Sequence, residues 1–254
     1  MPYSKYLSSL DIKVGDTLLV ASNILQLGVN LKKEGIKFGS DDMISSLQRL
    51  LGPDGTLLFP AFNYDFSSQK GYDYLHSPPQ NMGALSNQAF KRKDFMRTKH
   101  PVFSFFVSGK KVQKYYKLNN ISAFAKESPF DLMYQDNAKM LFIDIEYNRS
   151  FTFIHYVEEI VGVQYRYFKD FTSTYKDHNS LEEQRTYTLL VRDLEKGVIN
   201  SSNPIGKILE QKNVSKTYNI LGVKFALVDL KKAYKIIEED ILFNESKNLI
   251  SYTK

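Results

Sequence analysis

Residues 15–23 (GDTLLVASN) and residues 51–60 (LGPDGTLLFP) decide the fold. In each stretch, turn residues precede a short apolar run, TLLVA or TLLF, which is typical of a buried strand. Between them a helix is predicted, starting at Ser40 and ending at Gly52-Pro53, with apolar side chains on one face. The order strand, helix, strand predicts a βαβ unit with parallel strands.

The rest of the chain carries weaker patterns of the same kind. Residues 63–79 lack periodicity and are rich in Tyr, Ser, Asp, His and Pro, which indicates a long surface loop of the sort that often carries function. We expect one domain over residues 1–254, with a subdomain or insertion around 163–220. Further helices are predicted over 83–90, 152–161 and 229–241, and strands over 103–107, 139–145 and 186–191.

Composition limits the classes of protein. The 254 residues include no cysteine, so disulfides, thiolate metal sites and a cysteine nucleophile are excluded. Residues 1–14 are polar and lack the apolar core of a signal peptide, and no apolar run is long enough to span a bilayer, so we expect a cytoplasmic protein. The net charge of +6 favours anionic partners, either nucleic acid or a phosphate-rich cofactor or nucleotide-linked substrate.

His155 is the candidate general base. It follows Ser150 and Thr152, both typical N-cap residues, so it should lie in the first turn of a helix, whose positive end disfavours a protonated imidazole. Glu158 and Glu159 follow at spacings that place one of them on the same face, where a carboxylate would orient the ring or hold a cationic substrate. A structural histidine is the alternative interpretation of this pattern.

Other polar residues follow predicted strands. Ser22 and Asn23 come directly after the first strand, where ligands bind in α/β sheets, although a turn or helix cap explains them equally well. Arg97 precedes His100 in a basic loop and is a candidate phosphate ligand, with a solvated side chain as the alternative. The chain has no phosphate-binding glycine loop and no zinc-ligand spacing, so no metal is predicted.

Five or six segments, in order and at natural spacing, resemble the aminoglycoside 3-N-acetyltransferase family. Residues 15–24 are similar to its GDxLxVHSSL motif, and residues 51–62 to LLGPDGTLLMPTF. The segment SPPQNMGALS at 77–86 resembles TPSxMGALS, and RTKHPVFS at 97–104 resembles RSLHPTHS. Two shorter pieces complete the series: Ser128-Pro129-Phe130, which is similar to SPxGKL, and residues 152–159, TFIHYVEE, which resemble TSLHLAEY.

This resemblance implies an α/β fold, distinct from the GNAT fold, with a mixed sheet sandwiched between helices and a smaller appended subdomain. It implies an N-acyltransferase that uses acetyl-CoA, or another acyl-CoA, as co-substrate and transfers the acyl group directly to an amine, with His155 as base and Glu158 as its acidic neighbour. Our mechanistic hypothesis adds backbone N–H groups near Ser104, or the hydroxyl of Thr152, as donors to the developing oxyanion. The implied coenzyme residues are Ser22, Asn23, Ile24, Met82, Gly83, Arg97, Phe103 and Ser104, and the expected substrate residues are Tyr64, Asp65, His76 and Glu159.

Departures from the family motifs bear on the substrate. Ala21 and Phe103 stand where the motifs have histidine, and Asn23 replaces a serine. A basic chain is also a poor attractor for polycationic aminoglycosides. We therefore expect N-acylation of an amino-deoxy sugar, nucleotide-linked, for surface-polysaccharide assembly. The alternative is aminoglycoside 3-N-acetylation conferring resistance.

Two other classes of protein fit parts of the pattern. A nucleic-acid-binding module would use the 17 tyrosines and 18 phenylalanines for stacking, but no basic cluster interleaves with them and many lie in predicted core runs. A family member that binds ligand without catalysis is disfavoured by the retained His155 and Glu158. The sugar, its amino position, the acyl group and the oligomeric state are not readable from the sequence.

Overall fold

A mixed seven-stranded sheet forms the centre of the molecule, in the order β10-β11-β6-β1-β2-β5-β4. The computed structural model describes residues 3–253, so the ends of the predicted domain, residues 1 and 254, lie outside the described residues. The strands are β1 Thr17–Ser22, β2 Thr56–Pro60, β3 Tyr72–Asp73, β4 Met96–Arg97, β5 Phe105–Gly109, β6 Lys139–Ile143, β7 Arg166–Lys176, β8 Glu182–Arg192, β9 Val198–Asn200, β10 Ser215–Ile220, β11 Val223–Asp229 and β12 Ile250–Tyr252.

Helices cover both faces of this sheet. They are α1 Ser4–Leu7, α2 Leu25–Lys33, α3 Ser40–Leu51, α4 Gly83–Lys91, α5 Val112–Lys117, α6 Pro129–Gln135, α7 Tyr147–Ser150, α8 Phe153–Val161, α9 Asn203–Gln211 and α10 Leu230–Phe243. Side chains of β1 alternate between two apolar cores: Leu18 and Val20 pack with α2, α3 and α4, whereas Leu19 and Ala21 pack with α6, α8 and α10. The expected α/β fold, with a mixed sheet between helices, is confirmed.

The predicted βαβ unit is present. β1 pairs in parallel with β2 and with β6, so the carboxyl ends of three strands meet at one edge of the sheet. α3 ends where predicted, at Gly52, which adopts a left-handed φ of 68° that suits glycine. The prediction missed α2, which lies between β1 and α3.

The loop predicted over residues 63–79 is only partly a surface loop. Phe66, Tyr72 and Tyr74 are buried in the core, and residues Tyr72–Asp73 form a strand alongside β7. The correction has a physical reason, since aromatic side chains in a segment without periodicity can still be buried when neighbouring elements cover them. Here Phe66 packs edge-on against Tyr187 of β8, with ring centroids 5.4 Å apart.

The segment around 163–220 divides among three sheets, one of which is the two-stranded sheet of β9 and β12. β7 and β8 form an antiparallel hairpin paired over eleven positions, and with β3 they make a separate three-stranded sheet. β9, α9 and β10 follow, and β10 returns to the central sheet through its pairing with β11. The hairpin includes residues 166–184, whose polar and aromatic composition gave no strand signal, because one of its faces is largely exposed.

Candidate active site

Two cavities meet at the carboxyl ends of the parallel strands. The large cavity has a volume of about 1740 Å³ and the small cavity a volume of about 430 Å³. Their common boundary, here named the junction, is formed by five residues that line both: Tyr64, Tyr147, Arg149, Ser150 and Thr152. A ligand in one cavity can therefore reach a group in the other through the junction.

The end of β1 and the start of α4 form one wall of the large cavity. Ser22, Asn23 and Ile24 lie there together with Met82 and Gly83. Gly83 has a φ of +83°, and a Cβ at this position would lie 2.7 Å from the carbonyl oxygen of Ser22. Only glycine allows α4 to begin this close to β1.

Asn23 also has a local role. Its Oδ1 accepts a hydrogen bond from the backbone N–H of Leu25 at 3.3 Å, at the start of α2. The sequence left a ligand contact and a turn or helix cap as alternatives, and in the structure Asn23 both forms this turn bond and lies at the cavity wall.

His155 and Glu158 form a close pair on α8. His155 is the third residue of the helix, and its Nδ1 lies 2.6 Å from Oε2 of Glu158 one turn later. Glu158 is buried, whereas 21% of the His155 side chain is exposed, on the small cavity. A carboxylate at Nδ1 favours the tautomer that carries its proton there, which leaves the lone pair on Nε2.

Two residues at the start of β7, Tyr165 immediately before the strand and Arg166 as its first residue, contact this carboxylate. The hydroxyl of Tyr165 donates to Oε1 of Glu158 at 2.9 Å, and Nε of Arg166 lies 2.7 Å from Oε2. Arg166 is itself anchored by Asn200, whose Oδ1 accepts from its Nη2 at 2.7 Å. The His155–Glu158 pair therefore depends on side chains from the hairpin as well as on its own helix.

The pKa values of His155 and Glu158 both lie below their ordinary values. Burial lowers the pKa of His155 and Arg166 lowers it further, against the opposing effect of Glu158. Burial alone would raise the pKa of Glu158, but His155, Arg166 and Tyr165 outweigh it and the pKa lies below its ordinary value. The pair is thus a neutral imidazole and a carboxylate anion at neutral pH. The sequence argument anticipated the neutral imidazole but attributed it to the helix terminus.

Aromatic side chains shape the small cavity around His155. The ring of Phe124 lies edge-on to the imidazole, with centroids 5.4 Å apart, and Phe103 packs on Phe124 at 4.8 Å. Phe103 lines this small cavity, whereas the sequence placed it in the coenzyme groove. It is held there by His100, whose Nδ1 accepts from the backbone N–H groups of Val102 and Phe103.

Arg97 and Ser104, predicted at the coenzyme, line neither cavity. Nε of Arg97 donates to the hydroxyl of Ser104 at 3.0 Å, and its Nη2 donates to the carbonyl of Ala61 at 2.6 Å. Both side chains are buried. The structure therefore corrects this part of the prediction, because the guanidinium is satisfied by protein groups and serves to join β2 to β5.

Three predicted substrate residues also lie apart from the cavities. Asp65 and His76 line neither of them, and His76 is exposed and paired with Asp73 at 3.0 Å. Glu159 accepts a hydrogen bond from the hydroxyl of Ser122 at 2.6 Å and is likewise absent from both linings. Tyr64 is the one predicted substrate residue that lies at the junction.

Several cationic residues at the cavities were not predicted. Arg149, Arg166 and Arg192 line the small cavity, and lysines from α2, α9 and the loop after α2 line the large one. They come from segments far apart in the chain and lie in no recognisable motif. Only the folded arrangement of α2, α7, α9 and the hairpin brings them together.

Within residues 3–253, no cluster of three or more His, Cys, Asp or Glu side chains is arranged to hold a metal ion. In the same range, no helix has the length and apolar character needed to cross a membrane.

A histidine paired with a buried carboxylate and opening on the smaller of two adjoining ligand-sized cavities is suited to removing a proton from a bound group. The family model described as aminoglycoside 3-N-acetyltransferase matches residues 24–241. The chain belongs to this family and is an N-acetyltransferase. A sequence search of curated proteins gives no match.

Solved structures share the fold at low sequence identity. The YokD protein from Bacillus subtilis has a TM-score of 0.77 at 17% identity, covering 95% of this chain and 97% of its own. The aminoglycoside acetyltransferase AAC(3)-Xa has a TM-score of 0.78 at 17% identity, with coverage of 94% and 91%. AAC-IIIb, solved with CoASH, has a TM-score of 0.77 at 14% identity, with coverage of 94% of each chain.

Proposed function

We propose that this enzyme transfers an acyl group from acyl-CoA to an amino group of a nucleotide-linked amino sugar, with His155 as general base. The observation that carries the proposal is the His155–Glu158 pair, 2.6 Å apart, which opens on the small cavity beside a much larger one. A neutral imidazole whose Nδ1 is held by a carboxylate is suited to removing a proton from an attacking amine.

The large cavity is the proposed acyl-CoA site. Ser22, Asn23, Ile24, Met82 and Gly83, which the family motifs assign to the coenzyme, all line it. Its lining includes five cationic side chains against three carboxylates, a balance that suits the coenzyme phosphates. Among relatives of this fold, AAC-IIIb was solved with CoASH.

The proposed mechanism is direct transfer. Nε2 of His155 takes a proton from the acceptor amine, and the nitrogen attacks the thioester carbonyl carbon. The resulting tetrahedral intermediate collapses by breaking the C–S bond, and the thiolate of CoA leaves and is protonated, which restores the neutral base. Thr152 is at the junction and its side chain makes no capping hydrogen bond, so its hydroxyl is the proposed donor to the oxyanion.

The charges of the small cavity favour an anionic acceptor. Three arginines line it: Arg166 is buried and paired with Glu158, whereas Arg192 is partly exposed and Arg149 is exposed at the junction. Of the described residues in its lining, Glu158 is the one carboxylate, and it is already engaged by His155, Tyr165 and Arg166. A polycation would need free carboxylates, whereas a sugar diphosphate would meet arginines. Within this proposal the product serves surface-polysaccharide assembly, and the enzyme works in the cytoplasm, where acyl-CoA is made.

A second candidate is 3-N-acetylation of an aminoglycoside. The family match favours it, as does the similarity to AAC-VIa bound to sisomicin, which has a TM-score of 0.77 at 15% identity and coverage of 95% of this chain and 96% of its own. The two candidates differ in the charge of the acceptor, which makes them separable by one assay.

The test is a thiol-release assay with acetyl-CoA and butyryl-CoA against a panel of nucleotide-linked amino sugars and a panel of aminoglycosides. Turnover of nucleotide-linked sugars alone is the expected result. Turnover of aminoglycosides alone would replace the proposed acceptor by the second candidate, and no turnover with either panel would contradict both.

Arg149→Ala provides a sharper test of the anionic acceptor. Loss of a hydrogen bond to a charged group costs about 1.5–3 kcal/mol, so KM for the nucleotide-linked sugar should rise roughly 10- to 100-fold while kcat changes little. Lys110→Ala is the matched control, because Lys110 is exposed, pairs with Asp54 and lines neither cavity. An unchanged KM in Arg149→Ala would remove the proposed phosphate contact.

A further inference from the structure

A row of apolar side chains crosses the sheet at the floor of the large cavity. The register pairs Ala226 of β11 with Phe142 of β6, Phe142 with Ala21 of β1, and Pro60 of β2 with Phe105 of β5. All five residues line the large cavity. The row crosses the sheet at the carboxyl ends of the parallel strands β1, β2 and β6, so it is the first apolar surface that a ligand entering from this edge meets.

The cavity also reaches one row deeper. Leu19 and Met140, which pair with each other two residues before Ala21 and Phe142, are part of its lining although they are almost completely buried. Residues two apart on a strand share a face, so Leu19 lies directly behind Ala21. The cavity can extend beyond the first row only where a side chain in that row is small. Ala21 carries only a methyl group, which leaves Leu19 behind it open to the cavity.

Phe130 of α6 and Phe62 line the same cavity from within the same apolar core. The deep part, here named the apolar branch, is thus enclosed by hydrocarbon surface, whereas the lysines and carboxylates of the lining come from other segments, α2, α9 and the ends of β6 and β11. A cavity lined in this way is suited to an apolar group rather than to phosphates or a sugar.

The apolar branch lies next to the junction. The ring of Phe142 packs against Tyr147, which lines both cavities, with centroids 4.9 Å apart, and against Phe151, the residue before Thr152, at 5.5 Å. A thioester placed at the junction for attack near His155 would therefore have the branch beside its acyl carbon.

We infer that the apolar branch receives the acyl chain of the donor and that Ala21 sets the chain length, so that the preferred donor carries a saturated acyl group longer than acetyl. This inference rests on the proposed function, since it assigns the occupant of one part of the acyl-CoA site. Each methylene buried in the branch should tighten binding about fourfold, so butyryl-CoA, which has two more methylenes, should bind roughly 15-fold tighter than acetyl-CoA.

The experiment is calorimetric titration of the whole chain with free CoA, acetyl-CoA, butyryl-CoA and hexanoyl-CoA, which requires no acceptor. In Ala21→Leu the larger side chain fills the branch, so the gain from acetyl to butyryl should disappear while free CoA still binds. Ala125→Leu is the matched control, because Ala125 lines neither cavity, and it should keep the gain. Leu19→Ala lengthens the branch and should raise the relative affinity for hexanoyl-CoA, which provides a second variant if Ala21→Leu fails to fold.

The outcomes separate the proposed donor from the proposed branch. Failure to bind free CoA or any thioester would overturn the proposed donor and, with it, the branch. Binding of free CoA with equal Kd for acetyl-CoA and butyryl-CoA would overturn the branch alone, as would a butyryl gain that survives in Ala21→Leu.

Discussion

Nε of Arg166 lies 2.7 Å from Oε2 of Glu158, the same carboxylate oxygen that Nδ1 of His155 contacts at 2.6 Å. The two partners of this oxygen come from different parts of the structure, the imidazole from α8 and the guanidinium from the hairpin. A buried carboxylate shared in this way keeps its charge, while the guanidinium opposes protonation of the imidazole.

His155→Ala should reduce kcat by about 10²- to 10⁴-fold, the usual cost of losing a general base. The measurement is thiol release at saturating acyl-CoA with the best acceptor of the panel. His178→Ala is the control, because His178 belongs to the hairpin turn, lies beside Tyr74 and Tyr116, and lines neither cavity. Retention of near-normal activity by His155→Ala would remove the histidine from the mechanism.

Arg166→Met should move the acidic limb of the kcat/KM profile to higher pH. Burial and Arg166 both lower the pKa of His155, so removing the guanidinium raises that pKa, and the base becomes protonated at a pH where the native enzyme is active. Breaking the buried pair should also cost about 3–5 kcal/mol of unfolding free energy. Arg166 acts here as a positioning residue through Glu158.

Arg185→Met is the control for the pH profile, since Arg185 belongs to the same hairpin but pairs with Glu183, away from the cavities. If Arg166→Met is less stable but the acidic limb of its kcat/KM profile stays at the pH of the native enzyme, Arg166 has only a structural role.

His100→Asn should flatten the dependence of stability on pH. Burial lowers the pKa of His100 from 6.5 to about 3, so between these values the unfolded chain binds a proton that the native protein does not. Stability should therefore fall as the pH drops below about 6.5, with a slope for this group approaching about 1.4 kcal/mol per pH unit. Asn keeps an acceptor for the N–H groups of Val102 and Phe103 but does not titrate. Urea unfolding between pH 4 and pH 7 checks this, and an unchanged slope would contradict it.

Gly83→Ala should destabilise the protein and weaken CoA binding together. An L-residue in the left-handed conformation costs about 1–2 kcal/mol, and the added Cβ would press on the carbonyl oxygen of Ser22 at 2.7 Å. Gly162→Ala separates the cost of the left-handed backbone from the cost of the contact with Ser22. Gly162 has the same φ of +83°, but a Cβ there would meet no atom within 4 Å. In urea unfolding, Gly83→Ala should therefore lose roughly 1–3 kcal/mol more unfolding free energy than Gly162→Ala. If both variants lose the same unfolding free energy, a small backbone shift removes the contact between the new Cβ and Ser22.

The sequence identified the elements whose apolar pattern is local. The strands at Thr17 and Thr56, the helix Ser40–Leu51 and the helix that carries His155 all lie where predicted, within a few residues. The strand predicted over 186–191 lies within β8, but its hairpin partner β7 was missed because the exposed face of the hairpin carries polar and aromatic residues without regular alternation. The aromatic core residues of the 63–79 loop were missed for a related reason, since their burial is imposed by β8 and not by their own periodicity.

By itself the sequence determined the family, through ordered motifs, and the placement of a glutamate, Glu158 or Glu159, on the helix face of His155, because residues three or four apart on a helix share a face. It did not determine the environment of that pair. Arg166, the cationic lining of the small cavity and the apolar branch behind Ala21 depend on strands and helices distant in the chain, and Arg97 was misassigned for the same reason. Electrostatic shifts and cavity shape arise from three-dimensional proximity and burial, which only the tertiary structure fixes.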